Sequence, residues 1–341
     1  MKKRFLATTA LAAMLLAACG DKEEQTTNDN AAEQAEKEEE AVEETLTVYT
    51  TVYPLSYFAE RIGGDFVNVQ SIYPAGANEH SFEPTQQDMM KLADADLFFY
   101  IGLGLEGFVE NAEKTLANEN VALVPTSTNI TEEQLHVSEG HSHDEHAHEE
   151  DAHDHEGEEA HEDEHDHGAH DPHVWLSPTI AQTLAATVKD KLIEAVPEQE
   201  ATFAANYDAL IADLQQLDAE FNALSEEVPN KTFFVSHAAF GYIAGAYGFT
   251  QVPIAGLNSQ SEPSQKELAT IVDAAKEQNV KYILFEQNVS SNLAEVIKNE
   301  IGAESLTLHN LSVLTKEDVA SDADYLSLMR ENIETLKTAL Q

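Results

Sequence analysis

Histidine is the residue type in this chain with unusual chemical potential: there are 15 in 341 residues, against a single cysteine. An unprotonated imidazole is a nitrogen donor for borderline metal ions, Zn²⁺ above all, while a lone cysteine cannot make an internal disulfide. The histidines fall into two groups. Eleven lie between 136 and 170, starting with His136 in a tract with no large hydrophobe after Val137. Such a tract cannot pack, so a disordered loop is expected. Within it His141, His143, His146, His148, His153, His155, His161, His165, His167 and His170 recur every few residues among Asp and Glu. That pattern offers many overlapping ligand sets, and the expectation is auxiliary metal sites that are multiple, weak and interchangeable. The other four are His80, His173, His237 and His309. Singly, each is as easily a core or surface histidine. Together, four imidazoles suit tetrahedral Zn²⁺ and poorly suit Mn²⁺, Mg²⁺ or Ca²⁺, which prefer oxygen.

Regular elements must bring these four together. From Leu46 the chain alternates strand and helix: strands at 46–54, 67–74, 96–102 and 121–125, with helices at 55–63, 83–95 and 105–118 between them. The alternation restarts after residue 230, with strands at 231–236, 251–256, 281–287 and 305–311 and helices at 238–247, 262–278, 291–301 and 322–340. This is the signature of parallel α/β architecture. The segments EPTQQDM (83–89) and EPSQKEL (262–268) start corresponding helices with a capping-box pattern, which reads as a weak internal repeat and hence two similar lobes. Between the halves, 178–196 and 198–227 have helical periodicity. In the second, Phe203, Tyr207, Leu210, Ile211, Leu214, Leu217, Phe221 and Leu224 form an apolar stripe. The expected fold is therefore α/β: two similar lobes with mostly parallel sheets, joined by a long rigid helix. The lobes span 46–197 and 228–341, with 198–227 as the link and 136–170 as the loop. His80 follows strand 67–74, His237 ends strand 231–236 and His309 follows 305–308, while His173 precedes the Ser177-Pro178 helix start. Loops at strand C-termini converge in one crevice, so a metal site between the lobes is expected.

The ends give an address. Residues 1–18 have a basic start (Lys2, Lys3, Arg4) and a short apolar run, as in a signal peptide. The sole cysteine, Cys19, follows Leu16-Ala17-Ala18 and resembles a bacterial lipobox, so lipidation at Cys19 is expected. Residues 19–45 then read as an acidic tether at the outer face of the bacterial cell membrane. The formal charge of the chain is −45, of which 20–45 carries −9 and 131–171 carries −17. No basic footprint exists for nucleic acid.

Four segments carry a family resemblance: PAGANEHSFEPT around His80, DPHVWLSP around His173, FFVSHAAFGYIAGAYGF around His237 and TLHNLSVLT around His309. From Leu46 to Gln341 the chain resembles the cluster A-I metal-binding lipoproteins of bacterial ABC importers, in their zinc-uptake (ZnuA/AdcA-type) branch. The resemblance implies one Zn²⁺ between two lobes and delivery to an ABC permease and its ATPase. It also implies a monomer, and a binding subunit instead of an enzyme. His80, His173 and His237 match the family's three His positions, and His at 237 is the zinc-type choice where manganese-type members have Glu. The fourth ligand position varies in the family. Here His309, water or Glu79 can fill it, and Glu79 can equally support His80 from behind; Ser312 stands where some zinc members have Glu. Rival readings are a manganese or other divalent-metal subunit, a surface zinc reservoir or adhesin, and a zinc hydrolase. The hydrolase lacks a His-Glu-x-x-His or nucleophile-elbow motif.

Overall fold

The computed structural model describes residues 45–139, 170–259, 263–287 and 291–341. The signal peptide, Cys19, the tether to residue 44 and the histidines from His141 to His167 lie outside the described residues.

The first lobe runs β1 (Leu46–Thr50), α1 (Tyr53–Gly63), β2 (Val67–Ser71), α2 (Gln86–Ala93), β3 (Leu97–Tyr100), α3 (Val109–Leu116), β4 (Ala122–Pro125), α4 (Glu132–Leu135) and α5 (Pro178–Ala195). The long helix α6 (Glu200–Glu227) follows. The second lobe runs β5 (Thr232–His237), α7 (Gly241–Tyr247), β6 (Thr250–Ala255), α8 (Gln265–Glu277), β7 (Tyr282–Phe285), α9 (Asn292–Ile301), β8 (Glu304–Thr307), α10 (Lys316–Ala320) and α11 (Tyr325–Ala339). All sheet pairings are parallel, and the orders are β2-β1-β3-β4 and β6-β5-β7-β8. The two halves thus share one topology, as the repeated helix starts suggest. Both capping boxes form: Thr85 with Asp88, and Ser264 with Glu267. In each sheet the strand order reverses beside its first strand, and ligand crevices open at the carboxyl ends of such strands.

Some elements are shorter than the sequence pattern implies. The strand expected at 67–74 stops at Ser71, where the Ser71 hydroxyl takes over and bonds the Thr51 carbonyl at 3.0 Å. The strand expected at 305–311 stops at Thr307: Leu308 N–H still reaches the Phe285 carbonyl at 2.9 Å, but His309 N–H donates to Asn332 Oδ1 at 2.7 Å. Where a loop is expected from 136, His136–Glu139 form a 3₁₀ turn continuing α4.

The frame between the lobes is stiff. α6 is 28 residues long, about 42 Å at 1.5 Å per residue. Of its stripe, Phe203, Leu210, Leu214, Leu217, Phe221 and Leu224 are buried, and Tyr207 and Ile211 pack against the core at its edge, partly buried. Polar contacts pin α6 at both ends. Asn206 donates to the Ile62 carbonyl at 2.9 Å and Asp213 pairs with Arg61 at 2.7 Å on the first-lobe side. Asp218 accepts from the Tyr247 hydroxyl at 2.8 Å and Glu220 pairs with Arg330 at 2.9 Å on the second-lobe side. The lobes also bond directly. Trp175 Nε1 donates to the Asn310 carbonyl at 2.7 Å, and Tyr325 returns a bond to the Trp175 carbonyl at 2.8 Å. Tyr325 stacks on Tyr57, with ring centroids 5.7 Å apart.

Phe221 is fully buried and stacks on Tyr247 at 5.0 Å between centroids. Phe221→Ala should lower the unfolding free energy by about 3–5 kcal/mol, the usual cost of emptying a large aromatic site. Urea denaturation checks this, and a loss below about 1 kcal/mol would show that the α6 stripe does not support the frame.

Candidate metal centre

Three of the four singled-out histidines converge. His80, His173 and His237 offer ring nitrogens that all lie within 4.8 Å of one another. Their ring centroids are 5.2, 5.2 and 5.0 Å apart. Nε2 of His80 and Nε2 of His173 are 3.2 Å apart. Two donors on one tetrahedral Zn²⁺ at about 2.0–2.1 Å would be separated by roughly 3.3 Å. The spacing already matches a shared ion.

Each ring is placed by a different local device. His80 sits in the loop after β2, where Asn78 Oδ1 accepts its backbone N–H at 3.0 Å. Asn78 also reaches the second lobe, donating to Ser259 Oγ at 3.1 Å. His173 precedes a 3₁₀ turn, Val174–Leu176, that leads into the Ser177 cap of α5. Asp171 holds it twice, accepting from the backbone N–H at 2.9 Å and contacting Nδ1 at 2.8 Å. His237 is the last residue of β5, and its Nδ1 lies 2.9 Å from Glu286, just past the neighbouring β7. A carboxylate behind Nδ1 fixes tautomer and orientation, leaving Nε2 to meet an ion. In this structure Nε2 of His237 bonds the Leu257 carbonyl at 2.9 Å, so a metal must displace that bond.

His309 is not part of this group. Its Nε2 faces Asp318 at 3.0 Å and its Nδ1 accepts the Leu311 N–H at 2.9 Å. Both nitrogens are engaged in these bonds, so among the described residues the structure brings His80, His173 and His237 together and does not bring His309 to them. Its neighbour Asn310 occupies the site instead. Asn310 Nδ2 donates to Glu79 Oε1 at 3.1 Å and to Glu286 Oε2 at 2.7 Å. Glu79 is 2% exposed, its Oε1 lies 4.0 Å from His80 Nε2, and its Oε2 has no hydrogen-bond partner among the described residues. His170 lies elsewhere, beside Glu132.

Asp171, Glu286 and Asn310 were not identified as site residues from the sequence. Asp171 had a signal, two positions before His173 in DPH. Glu286 and Asn310 had none beyond lying just past strands.

Burial shifts the protonation of the cluster. His80 is pushed down to about 3, by desolvation first and then by His173 and His237 nearby. Burial also raises the Glu79 carboxyl. For His237, burial works downward, but the Glu286 charge and hydrogen bond, with the Leu257 carbonyl, win and raise it to about 9. Two acceptors on one imidazole explain this, because both nitrogens then carry protons.

Two parallel α/β lobes clamped by one long helix, with imidazoles from both lobes meeting at the strand ends, define a helix-braced binding protein for a single metal ion. The comparisons agree with this class. A family described as the zinc-uptake complex component A, periplasmic, matches residues 48–339, and the chain belongs to that family. The zinc-binding protein AdcA of Streptococcus pyogenes serotype M3 is 36% identical over 295 residues, covering 86% of this chain and 56% of that protein. The chain thus spans little more than half the length of such relatives. The high-affinity zinc uptake system protein ZnuA of Bacillus subtilis is 36% identical over 299 residues, covering 87% of this chain and 88% of that protein. Among solved structures, the Zn(II)-bound ZnuA-like domain of Streptococcus pneumoniae AdcA superposes with a TM-score of 0.68 at 31% identity, covering 87% of this chain and 99% of that one. The metal-dependent lipoprotein YcdH of Bacillus subtilis gives 0.69 at 34%, covering 87% and 100%.

The His237 ring, with a folded-state value of about 9 against an ordinary 6.5, stabilises the metal-free fold fully below 6.5, and this contribution fades as pH rises through 9. Metal must evict that proton. Zinc binding at pH 7.5 should release about one proton from this ring, measured calorimetrically in buffers of different ionisation enthalpy. Affinity should therefore weaken toward acid. Binding enthalpy that is independent of buffer would contradict the protonated starting state.

Proposed function

We propose that this chain captures Zn²⁺ at the outer face of the bacterial cell membrane and hands it to an ABC permease and its ATPase. The single observation that supports this best is the convergence of His80, His173 and His237 from two lobes at zinc-compatible spacing. In this reading the three Nε2 atoms bind the ion. Glu79 supplies the fourth donor from its carboxylate, whose Oε1 lies 4.0 Å from His80 Nε2. Three nitrogens and one carboxylate favour Zn²⁺ over Mn²⁺ or Ca²⁺. Asp171 and Glu286 aim two of the rings, and Asn310 holds Glu79 and Glu286 in register. The names of the relatives support zinc as cargo: a zinc-binding protein and a high-affinity zinc uptake protein. The family is a transport component and not an enzyme.

The same reading treats 1–18 as a signal peptide, Cys19 as the lipidated residue, and 19–45 as the tether to a monomeric two-lobe body at 46–197 and 228–341. A Streptococcus pneumoniae relative described as a zinc-binding lipoprotein supports the anchor. Among the described residues no helix is long and apolar enough to cross a membrane.

Chelator-competition titration tests the site. Glu286→Gln should weaken zinc binding about 10–100-fold, the range for losing a carboxylate behind a ligating imidazole, and His237→Ala should cost more. Deleting 140–169 should leave the tight site intact, and its disappearance on that deletion would overturn the cleft reading. For the anchor, Cys19→Ser should shift the protein from the membrane fraction to the medium, and unchanged membrane retention would refute lipidation there.

A further inference from the structure

We propose that Asn310 is a positioning residue that sets the metal choice of the cleft, by holding the Glu79 carboxylate to a single donor oxygen. The proposal rests on the reading of His80, His173, His237 and Glu79 as the zinc donors. Asn310 is fully buried. Both protons of its Nδ2 go to carboxylates, one from each lobe: Glu79 Oε1 at 3.1 Å and Glu286 Oε2 at 2.7 Å. Oε1 is also the Glu79 oxygen that lies 4.0 Å from His80 Nε2. The oxygen beside the rings is therefore the oxygen that Asn310 ties down.

The amide is locked in this orientation. Its Oδ1 accepts from Gln287 Nε2 at 2.9 Å, from the Ser312 N–H at 3.0 Å and from the Ser312 hydroxyl at 2.9 Å. A flipped amide would set Oδ1 against two carboxylates and Nδ2 against the Ser312 N–H. The backbone is held too. Asn310 N–H donates to Gln287 Oε1 at 3.2 Å, and its carbonyl takes the Trp175 indole N–H at 2.7 Å. On one side Asn332 clamps the His309 backbone with two bonds of 2.7 Å. On the other, Leu311 has a φ of 57°, a left-handed conformation that a branched residue keeps only where its surroundings enforce it. Every polar atom of Asn310 is thus used, and the amide cannot follow if Glu79 moves.

The consequence is a limit on coordination number. A carboxylate can give an ion one oxygen or two. Turning Glu79 to bring both oxygens to one ion pulls Oε1 from Nδ2 and leaves a buried donor unpaired, which is costly. While the bond stands, the cleft offers three nitrogens and one oxygen, the tetrahedral set that suits Zn²⁺. Mn²⁺ prefers an octahedral, oxygen-rich shell and gains from a second carboxylate oxygen. Asn310 therefore disfavours Mn²⁺ without touching the ion.

Competition titration of the full chain with Zn²⁺ and Mn²⁺, and the visible spectrum of the chain loaded with one equivalent of Co²⁺, test this. Asn310→Ala should lower the preference for Zn²⁺ over Mn²⁺ by about 10-fold or more, the size of effect expected from a partner behind a ligand. Co²⁺ in the unaltered chain should show the strong band of a four-coordinate ion, and in Asn310→Ala the weaker band of a higher-coordinate one. With Glu79→Gln already in place, Asn310→Ala should leave the preference unchanged, because the carboxylate it acts through is gone. Gln287→Leu removes two of the bonds that hold Asn310, so it should shift the preference the same way and carries the test if Asn310→Ala does not fold. Equal weakening of Zn²⁺ and Mn²⁺, as lost packing alone would give, overturns the proposal. So does a preference unchanged in either folded variant, or a Co²⁺ band that keeps its strength in Asn310→Ala. A failure of the cleft reading would look different, since His237→Ala would then leave tight Zn²⁺ binding intact.

Discussion

An imidazole binds a metal through one lone pair, and that lone pair must be both aimed and free of its proton. Most of this molecule is organised around meeting that condition for three rings at once. Burial strips the proton from His80 and burial alone would do so at His237, yet the Glu286 carboxylate behind His237 restores it in the metal-free state. The same carboxylate that fixes the orientation of the His237 ring therefore also favours its protonated form. On the proposed reading, a bound ion would take the place of that proton on His237.

Aiming depends on the frame. His80 and His173 belong to the first lobe and His237 to the second, so their spacing is only as fixed as the lobes are relative to each other. A Gly/Ser hinge would let that spacing wander. Here α6 is packed and hydrogen-bonded along both lobes, and the reciprocal pair Trp175–Asn310 and Tyr325–Trp175 closes the gap directly. Trp175 also lies beneath His173, with ring centroids 5.4 Å apart, so the contact that joins the lobes also supports a ring of the site. What remains adjustable is local: the Leu257 carbonyl on His237, and the Asn78–Ser259 bond beside His80. Both lie in loops over the cleft.

Asn310 connects the carboxylates. One amide donates to Glu79 from the first lobe and Glu286 from the second, keeping two buried carboxylates a fixed distance apart. Buried anions facing one cluster are costly without a cation nearby. Glu79 is where that cost falls closest to the rings, its Oε1 lying 4.0 Å from His80 Nε2. The cleft is thus electrostatically matched to a divalent cation.

Much of this was legible in the residue order. Strand–helix alternation, the paired capping boxes and the long apolar stripe of 198–227 led to two parallel lobes and a stiff helix, because these patterns are local and set by the period of each element. His80 and His237 were legible as candidate ligands because they follow or close a strand, and His173 because it stands before a helix start within the DPHVWLSP segment that carries the family resemblance. His309 was assigned to the same group on the same logic and does not join it. Successive residues leave a strand end in different directions, and no local pattern says which of His309 and Asn310 turns inward. That choice was made by Asn332 and Asp318, which hold His309 from α11 and α10. The partners of the rings, Asp171 and Glu286, and the bridging Asn310 are likewise products of distant segments meeting. Sequence alone determined the kind of chemistry, since residue type fixes donor atoms and periodicity fixes elements. Only the tertiary structure decided which donors share a centre, because a metal site is set by distances across the chain and not along it.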